Sequence, residues 1–291
     1  MKHMRNTILF SLSLAICSAG CDIIEEPDNP IPGAVDDCAG VGNGAGFRRV
    51  LLEDLTGFRC PNCPAAADVA KQLHGVYCED LIVVAVHCTP TFASPTAAPP
   101  DPFSTDFRTV AGEEYVSAFS PPGLPNGLVS RREFDGSQVI GDDNWSSAVA
   151  DILGQPAQFE ITFPQVSYDA GTETLDLQVK VDALADTTGE HNVVVYLLED
   201  DVIEGQEDNR VPGGIVYPYT HNHVLRDNIN GTWGTQAFTG AITPGQTVTL
   251  TFNDYVLAPN VLVPANCSLV AYIYRVDNDE VMQVSERHLI P

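Results

Sequence analysis

The stretch that decides the fold is RVLLEDLTGFRCPNCPAAADVAKQLHG, residues 49–75. Its apolar start, Arg49–Leu55, predicts a buried β-strand. Thr56–Arg59 turns the chain, and the CxxC motif Cys60–Cys63 leads into a helix that is expected to end at Gly75. Apolar residues spaced three and four apart indicate the buried face of this helix: Ala66, Val69, Ala70 and Leu73.

A CxxC motif at the start of a helix points to a specific chemistry. The unpaired amides and the dipole of a helix N-terminus favour a thiolate, which predicts a lowered pKa and an exposed position for Cys60. Cys63 follows three residues later and can close a small disulfide ring with Cys60. The sequence holds no second CxxC to complete a zinc site, so the motif favours redox chemistry over metal binding.

The residues that follow extend an α/β pattern. Leu81–Val86 is a continuous apolar run, which predicts a strand that is buried on both faces and pairs in parallel. Thr89–Pro102 is rich in Pro, Ala, Thr and Ser and is interpreted as a loop. Phe107–Phe119 and Asn144–Gly154 are interpreted as helices. The first half of the chain is therefore predicted to be an α/β domain.

From Gln158 onward, apolar and polar residues alternate with period two. Short segments of this kind, separated by turns, predict an antiparallel, immunoglobulin-like β-sandwich. The alternating or apolar segments include Phe159–Phe163, Leu175–Val181, Val193–Leu198, Val248–Phe252, Leu269–Val276 and Val281–Ser285. The predicted organisation is a signal peptide at 1–20, a tether at 21–46, the α/β domain at 47–155 and the sandwich at 156–291.

The N-terminus has the pattern of an export signal. Lys2 and Arg5 precede the apolar segment Ile8–Ile16, and small residues lead to Cys21. Small residues directly before a cysteine resemble the lipobox of bacterial lipoproteins, in which that cysteine is acylated. Lipid on Cys21 would hold the exported protein at a membrane, whereas ordinary signal cleavage would leave Cys21 as a free or paired thiol.

The charge of the chain excludes one class of partner. Lys and Arg together number 14 and Asp and Glu 39, which gives a net charge of −25. A surface of this sign repels phosphate backbones, so we expect no binding to nucleic acid. No apolar run beyond the first twenty residues reaches the ~20 residues that a membrane-spanning helix needs.

Export also predicts that most thiols are paired. Cys38 precedes the first strand and Cys78 the second, which places both at one edge of a parallel pair and predicts a Cys38–Cys78 disulfide. Cys88 ends its strand on the CxxC side. It is interpreted as a third redox thiol, as a partner of Cys267, or as an inert buried thiol.

Two histidines raise a metal hypothesis. His221 and His223 are two residues apart, so on one strand they would face the same way and chelate a metal, with His191 or Glu199 as a third ligand. The alternative is a hydrogen-bonded histidine pair. No cofactor is predicted.

The order strand, CxxC, helix, strand resembles the thioredoxin-like fold. Asp54 lies six residues before Cys60, and Leu124-Pro125 directly precedes a strand-like segment. The resemblance implies that Asp54 is a buried carboxylate that helps to deprotonate Cys63. It also implies that Pro125 is a cis-proline packed against the disulfide.

A closer resemblance covers nearly all of the chain after the signal. Five segments carry it: Glu53–Gly57 with the CxxC, Gly123–Arg131, Leu198–Asp200, Gln206 and His221–Asp227. These motifs are similar to those of the outer-membrane-protein-28-related family of surface lipoproteins. The family implies a thioredoxin-like domain followed by a β-sandwich, held at the cell outer membrane by lipid. Membership of this family does not by itself imply a particular biochemical activity.

Three functions remain open from the sequence. The first is thiol–disulfide exchange with envelope or surface proteins, in which Cys60 is the nucleophile, Cys63 the resolving thiol and Asp54 the proton acceptor. The second is a non-enzymatic surface interaction or adhesion protein, whose disulfides only stabilise the fold. The third is a metal-binding module that uses Cys60, Cys63 and the histidine pair.

Overall fold

The computed structural model describes residues 46–290. The predicted signal peptide, the lipidation site Cys21, the tether up to residue 45 and Cys38 lie outside the described residues. Within the described part, the protein is mostly β-structure, arranged in several sheets with four α-helices. No helix between residues 46 and 290 combines the length and the apolar character that crossing a membrane requires.

The helices and strands follow one another along the chain without a long structureless segment in the second half. The helices are α1 Cys63–Tyr77, α2 Pro90–Ala93, α3 Val110–Phe119 and α4 Trp145–Ile152. The strands are β1 Val50–Thr56, β2 Leu81–His87, β3 Asn126–Val129, β4 Val139–Ile140, β5 Phe159–Asp169, β6 Thr174–Ala183, β7 Thr187–Thr188, β8 His191–Glu199, β9 Val202–Glu207, β10 Ile215–His221, β11 Val224–Asn228, β12 Thr235–Phe238, β13 Ala241–Ile242, β14 Thr247–Val256, β15 Cys267–Arg275 and β16 Val281–His288.

The first half of the chain forms an α/β layer. β1 and β2 pair in parallel with Val50 opposite Leu81, as the continuous apolar runs predict. α1 and α4 pack on one face of these strands, and α3 packs on the other. The predicted apolar face of α1 is confirmed, because Ala66, Ala70 and Leu73 are buried in the core beneath it. The helix runs on past Gly75 to Tyr77, so its predicted end is wrong.

The second half contributes two facing β-layers. A three-stranded antiparallel sheet in the order β5, β6, β14 covers one face of β8 and β15. Alternate residues of β6, among them Leu177 and Val179, pack in the same buried cluster as Val195 and Leu197 of β8 and Leu269 of β15. The period-two pattern thus corresponds to strands with one buried face.

One sheet crosses the predicted boundary near residue 155. Its nine strands run in the order β16, β15, β8, β11, β2, β1, β3 and β4, with β12 also paired to β8. The two halves join where Val224 of β11 lies opposite Ala85 of β2. β8 and β15 are buried on both faces, because one face meets the three-stranded sheet and the other meets the α/β core, so strands of the predicted sandwich share a sheet with the α/β half.

A buried ion pair also ties the two halves together. Arg131 donates from Nε and Nη2 to the two carboxylate oxygens of Glu53, both at 2.7 Å. The Tyr196 hydroxyl of β8 donates to the same carboxylate at 2.7 Å. The guanidinium carbon lies 4.5 Å from the ring centre of Tyr115 in α3. Both charged side chains are fully buried, and each has a hydrogen-bonded partner.

Candidate functional site

The CxxC motif lies between β1 and α1. The chain leaves β1 at Thr56 and turns at Gly57, where a Cβ atom would come within 2.6 Å of the carbonyl oxygen of Phe92, so the turn requires glycine. Cys63 is the first residue of α1. Cys60 and Cys63 form a disulfide with their Cα atoms 5.4 Å apart. The strand, the turn and the helix N-terminus together position both sulfurs.

Both cysteines are buried, each only 1% exposed. The prediction that Cys60 is exposed is therefore wrong. The cover is the hairpin of β9 and β10 with the turn that follows β9, which we name the cover hairpin (residues 202–221). Its backbone donates to the CxxC loop, from Glu207 N to Phe58 O at 2.7 Å and from Asn209 N to Pro61 O at 3.0 Å.

Side chains reinforce this cover. Gln206 Nε2 donates to the carbonyl oxygen of Cys60 at 3.2 Å. An ion pair between Arg210 and Asp68 of α1 closes the outer side at 2.7 Å, and Arg59 lies 3.7 Å from Glu207. Gln206 belongs to the motif set quoted above, but nothing local in the sequence indicates that it reaches the CxxC loop.

Asp54 lies beneath the motif on β1 and is only 3% exposed. Its Oδ1 atom has no hydrogen-bond partner among the described residues. Burial raises the pKa of Asp54 to about 8, with a smaller contribution from the charge of Asp142. The carboxyl group is therefore mostly protonated at neutral pH, and it can gain or lose a proton at a pH close to neutral.

A cavity of about 620 Å³ opens beside this carboxyl group. Cys63 is one of its lining residues and Cys60 is not. The lining comes from β1, β2, α1, the cover hairpin and the turns before β9 and β11. It includes Asp54, Thr56, Cys63, Asp68, Lys71, His74, His87, Asp200, Asp201, Gln206, Tyr219, His221 and His223. We call this space the Cys63 cavity.

The structure brings His87 to the cavity together with His221. The two ring centres are 5.5 Å apart, and the ring of Phe107 lies against both. Burial lowers the pKa of His221 to about 4 and that of His87 well below its usual value, and the charge of nearby Arg226 adds to both effects. Both imidazoles are therefore neutral at physiological pH.

The prediction that His221 and His223 face the same way is wrong. β10 ends at His221, and His223 lies in the following turn with a φ of 56°, which breaks the strand alternation. His221 Nε2 bonds to Gly205 O at 3.3 Å, whereas His223 pairs with Asp200 and with the ring of His74. Across residues 46–290, no three His, Cys, Asp or Glu side chains form a group that could hold a metal ion.

For Pro125 the resemblance implies a cis peptide bond and packing against the disulfide, and the packing stays a prediction. The Leu124–Pro125 peptide bond is cis, and β3 begins at the next residue. Asn126 lies opposite Leu55 of β1 in the antiparallel pair.

The remaining cysteines differ in their state. Cys88 and Cys267 are buried and free, so the considered Cys88–Cys267 bridge does not form. Burial raises the pKa of each thiol to about 12, which keeps both protonated. Cys78 is bonded in a disulfide. The predicted partner, Cys38, lies outside the described residues, so that pairing stays a prediction.

Two solved structures have a fold similar to that of this chain. No curated protein matches it. HBP35 of Porphyromonas gingivalis has a similar fold, with 16% identity and a TM-score of 0.58 over 84% of this chain and 76% of that one. Protein AGR_C_4864 from Agrobacterium tumefaciens has 13% identity and a TM-score of 0.50 over 84% of this chain and 96% of that one. At these identities, the likeness concerns the fold alone.

The Omp28 lipoprotein of P. gingivalis is also similar in sequence. One of its domains is 26% identical over 46% of this chain and 90% of the domain, with a TM-score of 0.31. The model of the family described as outer membrane protein Omp28 matches residues 112–290, which is more than half of the chain. The protein therefore belongs to the Omp28 family of outer membrane proteins.

Proposed function

We propose that this protein is a lipid-anchored outer-membrane protein that carries out thiol–disulfide exchange through Cys60 and Cys63. In this proposal, residues 1–20 direct export and Cys21 receives the lipid. Residues 47–155 carry a thioredoxin-like fold, and the substrates are thiols or disulfides of envelope or surface proteins. No cofactor is required, because the cysteine pair itself carries the electrons.

The observation that carries the proposal is that a disulfide at a helix N-terminus shares a cavity with a buried carboxyl group, one oxygen of which has no hydrogen-bond partner within residues 46–290. Asp54 and Cys63 line the same cavity. Burial raises the pKa of Asp54 to about 8, close to the ~8.5 of an ordinary thiol. A proton can then pass between the two groups with little difference in free energy, which is the condition for efficient acid–base catalysis.

Each group has a defined role in the exchange. In the reduced protein, the Cys60 thiolate attacks one sulfur of a substrate disulfide, the substrate S–S bond breaks, and one substrate thiolate leaves. The ionised fraction of Asp54, which is the minor form below its pKa of about 8, takes the proton of Cys63, whose thiolate then attacks Cys60 in the mixed disulfide and releases the second substrate thiolate. The protein is oxidised to the Cys60–Cys63 disulfide and the substrate is reduced. Pro125 is assigned the role of packing against the disulfide.

The cover hairpin has to move before a protein substrate can reach Cys60. Hydrogen bonds from Gln206, Glu207 and Asn209 join it to the CxxC loop, and Asn209 contributes two of them, from its backbone and from its side chain. Each such bond contributes only about 1 kcal/mol net, and opening must also break the bonds of Glu204 to the backbone of residues 103–105. In this proposal the opening is local and leaves the two cores folded.

The test is a trapping experiment. The Cys63→Ser variant leaves Cys60 without its resolving thiol, so a mixed disulfide with a substrate protein should accumulate in cells and appear on a non-reducing gel. Cys267→Ser, which removes a buried free thiol outside the CxxC, is the control and should trap nothing. The purified wild-type pair should have a reduction potential above about −300 mV.

A second candidate function is non-enzymatic interaction at the cell surface, with a permanent disulfide. The observation that favours it is the burial of both sulfurs beneath the cover hairpin. It predicts a reduction potential below about −300 mV and no trapped partner. Those two results together would replace the exchange proposal with this one.

A further inference from the structure

The two cysteines of the buried disulfide have different neighbours. The cover hairpin blocks the approach to Cys60, because its backbone is bonded directly to the CxxC loop. The Cys63 cavity provides a second approach, since Cys63 is one of its lining residues. A folded protein is too large for a space of about 620 Å³, but a small molecule fits.

Two polar atoms of residues that line the inner part of the cavity lack hydrogen-bond partners. Asp54 Oδ1 and His87 Nδ1 are both without a partner among the described residues, and each residue is 3% exposed. Buried polar atoms in native proteins are nearly always satisfied, so two such atoms on residues that line one cavity favour a polar partner there, either water or a bound molecule. Both groups are neutral at physiological pH, and Val83 and Ala85 provide apolar wall beside them.

The rim of the cavity is acidic. Asp68 of α1 is bonded to Arg210, and Asp200 is bonded to His223. Asp201 is exposed beside Asp200, and Lys71 is the basic residue among those lining the cavity. Because Arg210 neutralises Asp68, the negative charge at the opening lies with Asp200 and Asp201, and it favours a cationic group on the molecule that enters.

We propose that the Cys63 cavity binds a low-molecular-weight thiol that carries an ammonium group, and brings its sulfur to Cys63. The ammonium group lies at the Asp200–Asp201 rim, and the sulfur lies at the inner end beside Asp54. This inference rests on the proposed exchange function, and it names a substrate class that needs no opening of the cover hairpin.

The chemistry is a two-step reduction by two equivalents of the aminothiol. The first thiolate attacks the Cys63 sulfur, the Cys60–Cys63 bond breaks, and Cys60 leaves as a thiolate. A second aminothiolate attacks the small-molecule sulfur of the mixed disulfide and forms the small disulfide, so that Cys63 leaves as a thiolate. Asp54 donates its proton to Cys63 and regains one from solvent. The protein gains two electrons, and the two aminothiols lose them.

The first experiment compares three small thiols of different charge. The oxidised protein is reduced with cysteamine, 2-mercaptoethanol or 3-mercaptopropionate at equal thiolate concentration, and the loss of the disulfide is followed by alkylation and mass spectrometry. We expect cysteamine to react about fivefold faster than 2-mercaptoethanol, from one charge pair near the surface, and 3-mercaptopropionate to be the slowest. Equal rates for the three thiols would overturn the inference.

Variants separate the rim from the general charge of the protein. Asp200→Asn/Asp201→Asn should remove the preference for cysteamine. Asp151→Asn/Asp186→Asn, at two exposed acids outside the cavity lining, should retain it. If the remote pair removes the preference as well, the net charge of the chain explains it and the inference fails.

The point of attack is tested separately. In Cys60→Ser, the Cys63 thiol should be labelled by cystamine faster than the Cys60 thiol of Cys63→Ser, as mapped on peptides. Faster labelling of Cys60 would refute entry through the cavity. If none of the three thiols reduces the wild-type disulfide, the proposed exchange function itself fails, which distinguishes that outcome from a failure of the charge preference alone.

Discussion

Two neighbouring acids on β1 have opposite surroundings. Glu53 points to the face shared with β8, where Arg131 and Tyr196 donate three hydrogen bonds of 2.7 Å to its carboxylate. Asp54 points to the other face, where its Oδ1 atom has no partner and burial raises its pKa to about 8. Both residues are buried to at least 97%.

The difference shows how the surroundings divide two roles between similar side chains. A buried carboxylate that accepts hydrogen bonds from several donors holds the segments that carry those donors in position. A buried carboxyl group without donors stays protonated until the pH approaches its raised pKa, so it can transfer a proton. We therefore assign a structural role to Glu53 and a proton-transfer role to Asp54. The following variants test this difference.

The largest effect is expected for Glu53→Gln. It leaves the Arg131 guanidinium buried without a counter-charge, which should lower the free energy of unfolding by about 4 kcal/mol. Urea denaturation monitored by tryptophan fluorescence measures the change. Asp106→Asn, in an exposed ion pair with Arg108, is the control and should cost less than about 1 kcal/mol. Similar losses in the two variants would remove the special role of Glu53.

Asp54→Asn should act on stability through pH. The pKa of Asp54 is about 8 in the folded protein and about 3.9 in the unfolded chain, so the folded state holds this proton more tightly. The stability that this proton contributes is complete below about pH 4 and is lost as the pH rises through about 8.

The wild-type free energy of unfolding should therefore fall by about 3.6 kcal/mol, relative to Asp54→Asn, between about pH 5 and pH 8. Urea titrations at each pH give this difference. Asp186→Asn, at an exposed acid, should keep the wild-type pH dependence. Parallel curves for wild type and Asp54→Asn would show that Asp54 has an ordinary pKa.

The same Asp54→Asn variant should slow exchange by at least about tenfold, because positioned acid–base groups contribute this much or more. The wild-type rate should also show a step near pH 8 that the variant lacks. A stopped-flow pH profile with a neutral small disulfide measures both. A uniform slowing that keeps the step would assign the proton transfer to another group.

The smallest effect is expected at the cover hairpin, which lies on the Asp54 side of β1. Gln206→Ala removes the bond to Cys60 O and should weaken the closed state by about 1 kcal/mol. Alkylation of Cys60 in the reduced protein should become about fivefold faster. Gln236→Ala, at an exposed glutamine of β12, is the control and should leave the rate unchanged.

The sequence predicts the local parts of this site and fails where distant segments meet. β1, the CxxC loop and α1 follow from periodicity and from the helix-terminal motif, because their structure depends on adjacent residues. The cover hairpin was not predicted, since β9 carries buried Glu204 and Gln206 and β10 contains Pro218. These strands are held by bonds to residues about 150 positions away, such as Gln206 to Cys60. Cys60 is therefore buried although its motif is typical of an exposed thiol.

The continuity of the large sheet limits how evolution and engineering can divide this protein. A gene fragment that ended near residue 155 would lose β11 and leave the apolar edge of β2 open, which invites association with other chains. It would also separate Glu53 from Tyr196. Recombination at that point would therefore transfer an unstable piece. We expect the unit that is inherited or exchanged between proteins to comprise both halves, with the cysteine pair and its cover kept together.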